Sequence, residues 1–293
     1  MEVTIIKACC DLGTHVDGAN LGPDRFVENY YITQDIKEVR QPDIKKSHDE
    51  EDKHKNEEAI NQFNQELYEK VTKTLEENHF PVTVGGDHSI AIASTLAAIK
   101  HYQNLGIIWF DSHADYNTFE TTITGNIHGL PLAAINGLNK ELSMFHNGPY
   151  YDPHHTVIVG YRAKEENQEA ELNVIKQMGV TVFTTDDIKQ EGIQIIVQKA
   201  MAIATRNTNG VHISYDLDVI DPIVAPGVSI KEPNGLTKQE SLQFVECLKP
   251  YQEKITSLDI VEFNPLNDQN DQTLKIAREV CDQFLTMKKE LVH

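Results

Sequence analysis

Positive charge is scarce in this chain: 26 Lys and Arg stand against 45 Asp and Glu in 293 residues, a formal net charge of -19. Nucleic acid and anionic membrane surfaces both require a basic footprint, and none is present, so neither is expected as a partner. Long apolar runs are lacking as well. None reaches the length needed to span a bilayer, and Met1-Glu2-Val3-Thr4-Ile5-Ile6-Lys7 does not have the layout of a secretion signal, which makes a cytoplasmic protein the expectation. Cysteine is sparse: Cys9, Cys10, Cys247 and Cys281 form no Cys-x-x-Cys pair, and a disulfide between adjacent Cys9 and Cys10 would be badly strained. All four read as reduced, mostly buried thiols. The remainder is an ordinary globular composition, 40% hydrophobic, in a chain long enough for a sizeable core.

Short apolar runs rich in β-branched residues alternate with longer stretches of helical character. Val3 to Ala8, Phe80 to Val84, Leu105 to Phe110, Thr156 to Val159, Val180 to Phe183, Val211 to Leu217 and Ile255 to Glu262 read as strands. Asn56 to Glu77, Ile90 to Tyr102, Glu165 to Met178, Ile193 to Arg206, Thr237 to Leu248 and Gln272 to Met287 read as helices. The alternation implies an α/β fold, a mainly parallel sheet covered on both faces. Residues 35–55 are charged and poor in apolar side chains and are expected to form a surface loop. With no linker-like break and no internal repeat, residues 1–293 are read as a single domain.

The chemistry concentrates in Asp111-Ser112-His113-Ala114-Asp115, directly after the apolar run ending at Phe110. In extended backbone, side chains at i, i+2 and i+4 share one side, so a carboxylate, an imidazole and a second carboxylate enter one pocket. Such a group repels itself and is poorly solvated unless a cation joins it. Three further strands run into polar ends: Gly85-Gly86-Asp87-His88-Ser89, Asp216-Leu217-Asp218 and Glu262-Phe263-Asn264-Pro265. Alone, the first is equally a tight turn with Asp87 capping the next helix, and Asp216-x-Asp218 is equally a turn entry. Together, at the carboxyl ends where parallel sheets bind ligands, they point to one site.

Charge counting refines it. Asp111, Asp115, Asp216 and Asp218 carry four negative charges, which two divalent cations neutralise with His88 and His113 as neutral ligands. Oxygen and imidazole donors without thiolate suit Mn²⁺ or a similar ion better than structural Zn²⁺. Two metals sharing carboxylates hold a bridging water as hydroxide near neutral pH, a nucleophile for hydrolysis.

These motifs are similar to those of a known family. Gly-Gly-Asp-His-Ser at 85–89, Asp-Ser-His-Ala-Asp at 111–115 and Tyr-Asp-Leu-Asp-Val-Ile-Asp-Pro at 215–222 resemble the ureohydrolases, the group of arginases, agmatinases and formimidoylglutamases, from Gly22-Pro23 through Glu262-Phe263-Asn264-Pro265. The resemblance implies a three-layer α/β/α fold, a dinuclear Mn²⁺ centre with two ions per subunit, and a homo-oligomer, trimer or hexamer. It also implies His88, Asp111, Asp115 and Asp216 around one ion and His113, Asp111, Asp216 and Asp218 around the other, with Asp111 and Asp216 bridging. His128 corresponds to the family's proton-shuttling histidine, and Glu262 to the carboxylate that holds a guanidinium. Asp218 is assigned a part in stabilising the tetrahedral intermediate.

Within the group the arginases are the nearest match. Asn117, Thr122 and Thr124 stand where arginases meet the substrate's α-carboxylate, which agmatine lacks, and the formimidoylglutamase branch generally lacks His128. The expected activity is therefore Mn²⁺-dependent hydrolysis of a small cationic substrate, L-arginine, to L-ornithine and urea by a metal-bridging hydroxide. The alternative is a related guanidino or formimidoyl substrate, as in agmatinase or formimidoylglutamase. Two departures bear on this choice. The acidic pair that binds the α-ammonium after Gly160-Tyr161-Arg162 is here Glu165 and Gln168, and the usual Gly-Thr-Pro after Val228 is Ser229-Ile230-Lys231, followed by Glu232-Pro233.

Overall fold

The computed structural model describes residues 2–31, 33–49, 51–142, 152–162 and 168–290. Eight strands are present among them: β1 Val3–Cys9, β2 Asp35–Arg40, β3 Phe80–Gly85, β4 Leu105–Phe110, β5 Thr156–Tyr161, β6 Thr181–Thr184, β7 Gly210–Asp216 and β8 Ile255–Val261. They form one sheet in the order β2-β1-β3-β8-β7-β4-β5-β6, and every pairing is parallel. The helices are α1 Gly22–Val27, α2 Glu57–Glu76, α3 Ala91–Tyr102, α4 Pro131–Ile135, α5 Gln168–Met178, α6 Thr185–Glu191, α7 Ile193–Ala204, α8 Lys238–Leu248 and α9 Gln272–Glu290.

The strand pleat sorts side chains into two cores. Along β4, Ile108 and Phe110 join one core with residues of α7, α8 and α9, while Leu105, Ile107 and Trp109 join the other with residues of α2, α3 and α4. This is the three-layer α/β/α architecture. Local chemistry sets the helices. Ile60, Phe63, Leu67, Val71 and Leu75 line the buried stripe of α2 at helical spacing. Thr237 starts α8 with a capping box, its hydroxyl accepting from the Glu240 N–H while the Glu240 side chain accepts from Thr237. All three wholly buried cysteines and the half-buried Cys247 are free thiols.

One expectation needs correction. Asp35–Arg40, read from its charge as the start of a surface loop, is an edge strand paired in parallel with β1. Only Val39 is buried, and the charged side chains pair sideways: Lys7 with Asp24 and Glu38, Arg40 with Glu38 and Asp24. An edge strand with one wet face has no need of apolar alternation, and its charges also deter further strand addition. Residues 41–49 and 51–56 then run without strand or helix.

The four strands that bear the site motifs, β3, β8, β7 and β4, are contiguous at the centre of the sheet. Register aligns their ends, with Phe110 beside Tyr215 and Asp216 beside Val261. Parallel direction therefore sends all four carboxyl ends to the same edge.

Candidate metal centre and substrate pocket

Three of these four strand ends, those of β3, β4 and β7, close with the same device, an aspartate that uses one oxygen to cap the following turn. Asp87 Oδ1 accepts from the Ser89 N–H at 2.9 Å, Asp111 Oδ1 from His113 at 2.7 Å, and Asp216 Oδ1 from Asp218 at 2.7 Å. The turn-capping role and the ligand role are therefore compatible, because for Asp111 and Asp216 the second oxygen still points inward. Gly86 makes the first turn possible: a Cβ there would lie 1.7 Å from the Cys10 carbonyl oxygen, so only glycine lets β3 pass β1 and turn His88 into the site. Asp115 (φ 50°) and Glu262 (φ 66°) adopt left-handed backbone without being glycine, a strain commonly stored at functional sites.

His88 Nδ1 sits among three carboxylate oxygens, 3.1 Å from Asp111 Oδ2, 2.9 Å from Asp115 Oδ2 and 3.0 Å from Asp216 Oδ2. Its ring stacks on Trp109 at 4.1 Å, and Nε2 contacts Ser214 Oγ at 2.8 Å. His113 Nδ1 lies 2.9 Å from Asp218 Oδ2 and 3.6 Å from Asp111 Oδ1, while Asp218 Oδ1 accepts from the Ser112 hydroxyl at 2.6 Å. Two potential metal-ligand sets result, His88 with Asp111 and Asp216, and Asp111 with His113 and Asp218. They share Asp111. Asp216 falls in the first set only, and Asp115 adjoins that set through His88 Nδ1.

The donors fit a hard or borderline cation. His88 Nδ1 and Asp111 Oδ2 are buried without a hydrogen bond although they lie 3.1 Å apart, which is how ligand atoms stand when both face a common point. Burial and the neighbouring Asp111 charge push Asp115 up to about 7. Burial together with Asp218 and Asp111 holds Asp216 well above the usual carboxylate range. Against burial, contacts with Asp111, Asp115 and Asp216 keep His88 well above its ordinary value. A divalent cation relieves the carboxylate repulsion behind these shifts.

Glu262 closes the floor. Its N–H donates to the Gly86 carbonyl at 2.8 Å, and its Oε1 accepts from the His88 N–H at 2.9 Å and meets His128 Nδ1 at 3.1 Å. Its Oε2 is buried with no hydrogen-bond partner. Burial opposes ionisation of Glu262, but His128 holds its carboxyl below the usual range; reciprocally, Glu262 overcomes burial to raise His128. Above lies a cavity of about 490 Å³ lined by His88, His113, Asp115, Asp216, Asp218, Glu262 and His128, with Asn117, Thr122, Thr124, His15, Asn126, Ile230 and Glu232 on its wall. Asn117 donates to Glu171 Oε1 at 3.1 Å, and the Thr122 and Thr124 hydroxyl oxygens accept loop N–H groups at 3.1 and 3.2 Å. Glu165 lies outside the described residues, and Gln168 opens α5.

This architecture recurs in known proteins. The model of the arginase family matches residues 1–286. The chain belongs to the arginase family. It is 36% identical over 298 residues to the arginase of Bacillus subtilis strain 168, covering 98% of each chain. Among solved structures, it resembles Bacillus cereus arginase, with a TM-score of 0.85, 34% identity and 97% of each chain covered. It also resembles Entamoeba histolytica arginase in complex with L-ornithine, with a TM-score of 0.88, 26% identity, and 97% and 98% covered. As an arginase-family member it is a hydrolase of the ureohydrolase kind.

Several wall and support residues escaped the sequence reading. Asp87 does more than cap: its Oδ2 accepts from the Gly13 N–H at 2.8 Å, and the Gly13 carbonyl in turn accepts from the His128 N–H at 3.0 Å. His15 and Asn126 meet at 2.9 Å on the wall. Glu171, buried within an otherwise ordinary amphipathic helix, accepts from Tyr116 and Asn117. Asp87 stood within the Gly85 to Ser89 motif, but only as a cap; no motif quoted for the site marks His15, Asn126 or Glu171, and the one signal for Glu171, a buried charge on a helix, is recognisable only once the helix is packed.

Proposed function

We propose that this protein hydrolyses L-arginine to L-ornithine and urea with two Mn²⁺ ions per chain. The observation that carries the reading is Glu262 Oε2, a buried carboxylate oxygen with no partner on the floor of the cavity, beside both potential ligand sets. A hydrogen-bond donor fits there, and a planar guanidinium supplies one whose charge suits a carboxylate. Relatives and structural neighbours named as arginases support the choice, as does the neighbour solved with L-ornithine.

His88, Asp111, Asp115 and Asp216 would hold one ion, and His113, Asp111, Asp216 and Asp218 the other. Bound there, the ions supply Lewis-acid stabilisation and lower the pKa of water so that a nucleophile exists at neutral pH. The chain's own groups do the rest. Glu262 holds the guanidinium so that its carbon faces the ligand sets. Water adds to that carbon, the bond to the side-chain nitrogen breaks, and His128, 3.1 Å from Glu262 Oε1, delivers the proton that lets the amine leave. Asp218, held by Ser112, helps stabilise the tetrahedral intermediate. Asn117, Thr122 and Thr124 face the α-carboxylate, the two hydroxyls keeping their hydrogens to donate. We assign Glu165 to the α-ammonium.

A substrate panel on Mn²⁺-loaded protein tests the reading, with urea and formamide both quantified. Urea from arginine is expected. Urea from agmatine alone, or formamide from formimidoylglutamate, would replace arginine with one of the family's other substrates. No helix among the described residues is long and apolar enough to cross a membrane. A cytoplasmic homo-oligomer of three or six chains goes with the proposal. Sedimentation velocity checks the assembly.

A further inference from the structure

The far nitrogens of the two ligand imidazoles meet different partners. His88 Nε2 contacts the neutral hydroxyl of Ser214 in the buried sheet. His113 Nε2 faces a carboxylate, Glu232 Oε1, at 3.7 Å across the cavity wall. Histidines that ligate metals commonly donate their second N–H to a carboxylate, which fixes the tautomer and ring orientation and raises the basicity of the ligating nitrogen.

Glu232 is firmly placed for such a role. Arg162, half-buried, spreads its guanidinium over four carbonyls: Asp218 at 2.7 Å, Glu232 at 2.8 Å, Val219 at 3.1 Å and Pro233 at 3.2 Å. The Arg162 N–H meanwhile donates to the Ser112 carbonyl at 2.9 Å. The guanidinium therefore joins the backbone of Asp218, which meets His113 at Nδ1, to the backbone of Glu232, which faces Nε2, and the main chain of Arg162 ties the same residue to the turn that bears His113. The side chain of Glu232 is not packed solid, with 26% of its surface exposed, so rotation within it can close the remaining ~0.8 Å to a hydrogen bond. This carboxylate also lies in the stretch, Ser229 to Pro233, where the sequence departs from the family's usual Gly-Thr-Pro.

We propose that Glu232 is a positioning residue that accepts the Nε2–H of His113 and thereby holds Nδ1 toward Asp111 and Asp218, strengthening the second metal site selectively. The inference rests on the two-Mn²⁺ reading above. It makes the His113 imidazole dependent on a wall loop, whereas the far nitrogen of His88 is held from within the sheet, by Ser214 of β7.

The test is Mn²⁺ titration of metal-free protein, with free Mn²⁺ read by electron paramagnetic resonance, for wild type and Glu232→Gln. Wild type is expected to take up two ions. In Glu232→Gln one ion should bind as in wild type and the other about 10- to 100-fold more weakly, with the Tm of the metal-free protein unchanged. Two ions in wild type with unaltered uptake in Glu232→Gln would overturn this proposal alone. Equal weakening of both ions with a lowered Tm would also overturn it, reducing Glu232 to a structural part of the loop. Fewer than two ions in wild type would overturn both this proposal and the reading beneath it.

Discussion

The floor and the wall of the same cavity are built by different means. On the floor, His88, Asp111, Asp216 and Glu262 project from the ends of four adjacent strands, and caps, strand register and ring stacking fix them within a few residues of the sheet. The wall residues Asn117, Thr122, Thr124 and Glu232 lie on loops whose shape is imposed from a distance. Lys55 of the charged 41–55 segment donates to the Thr124 carbonyl at 2.6 Å, Lys53 donates to the Ile123 carbonyl, and Arg162 grips the loop of Glu232. Precision therefore belongs to the chemistry end and adjustability to the recognition end, as expected when sites are mounted on rigid elements and varied through loops.

The floor should fail all at once. Asp216→Ala removes a carboxylate 3.0 Å from His88 Nδ1 and the cap on Asp218, so both ligand sets are disturbed. Activity is expected to fall by about 10³-fold or more, with bound Mn²⁺ dropping below two per chain by elemental analysis. Full metal content in this variant would show that Asp216 is not a ligand. His128→Asn separates proton delivery from metal binding within the floor. It should keep both ions while kcat falls about 10²-fold, the lower end for a lost general acid. A parallel loss of metal would assign His128 to the metal centre instead.

The same contrast explains what could be read from the sequence. Asp111, His113 and Asp115 were legible as a cluster of ligand-type side chains behind an apolar run that marks a central strand, but not for the reason expected: β4 ends at Phe110, and a capped turn with Asp115 at φ 50° gathers them instead of extended backbone. The parallel sheet was legible from alternation, but β2 was not: its Ile36 and Val39 are diluted by charges, of which Glu38 pairs with Lys7 and Arg40 with Asp24, far along the chain. Glu171 was hidden for a related reason. Its value comes from the N–H groups of Tyr116 and Asn117, fifty-odd residues away, and nothing in its own neighbourhood marks it. Residues that act through near neighbours leave a motif; residues that act through tertiary contacts leave only an oddly placed charge.

The wall should fail gradually, and the 41–55 segment offers a controlled comparison. Lys53 and Lys55 donate to consecutive carbonyls of one loop, but Lys55 is 6% exposed and Lys53 is half-buried. Lys55→Met leaves the Thr124 carbonyl without this donor where little water can replace it, a loss of about 1–3 kcal/mol that loosens the threonine assigned to the α-carboxylate. The expected result is a several-fold rise in KM for arginine with kcat and Mn²⁺ content kept. Lys53→Ala should move KM by less than about twofold, because water reaches the Ile123 carbonyl once the ammonium is gone and exposed charge contacts contribute little. Steady-state kinetics on the two variants decides the matter. Equal effects would mean that the segment acts by its net charge on the approaching substrate, and a fall in kcat for Lys55→Met would mean that the wall also sets the geometry of the floor.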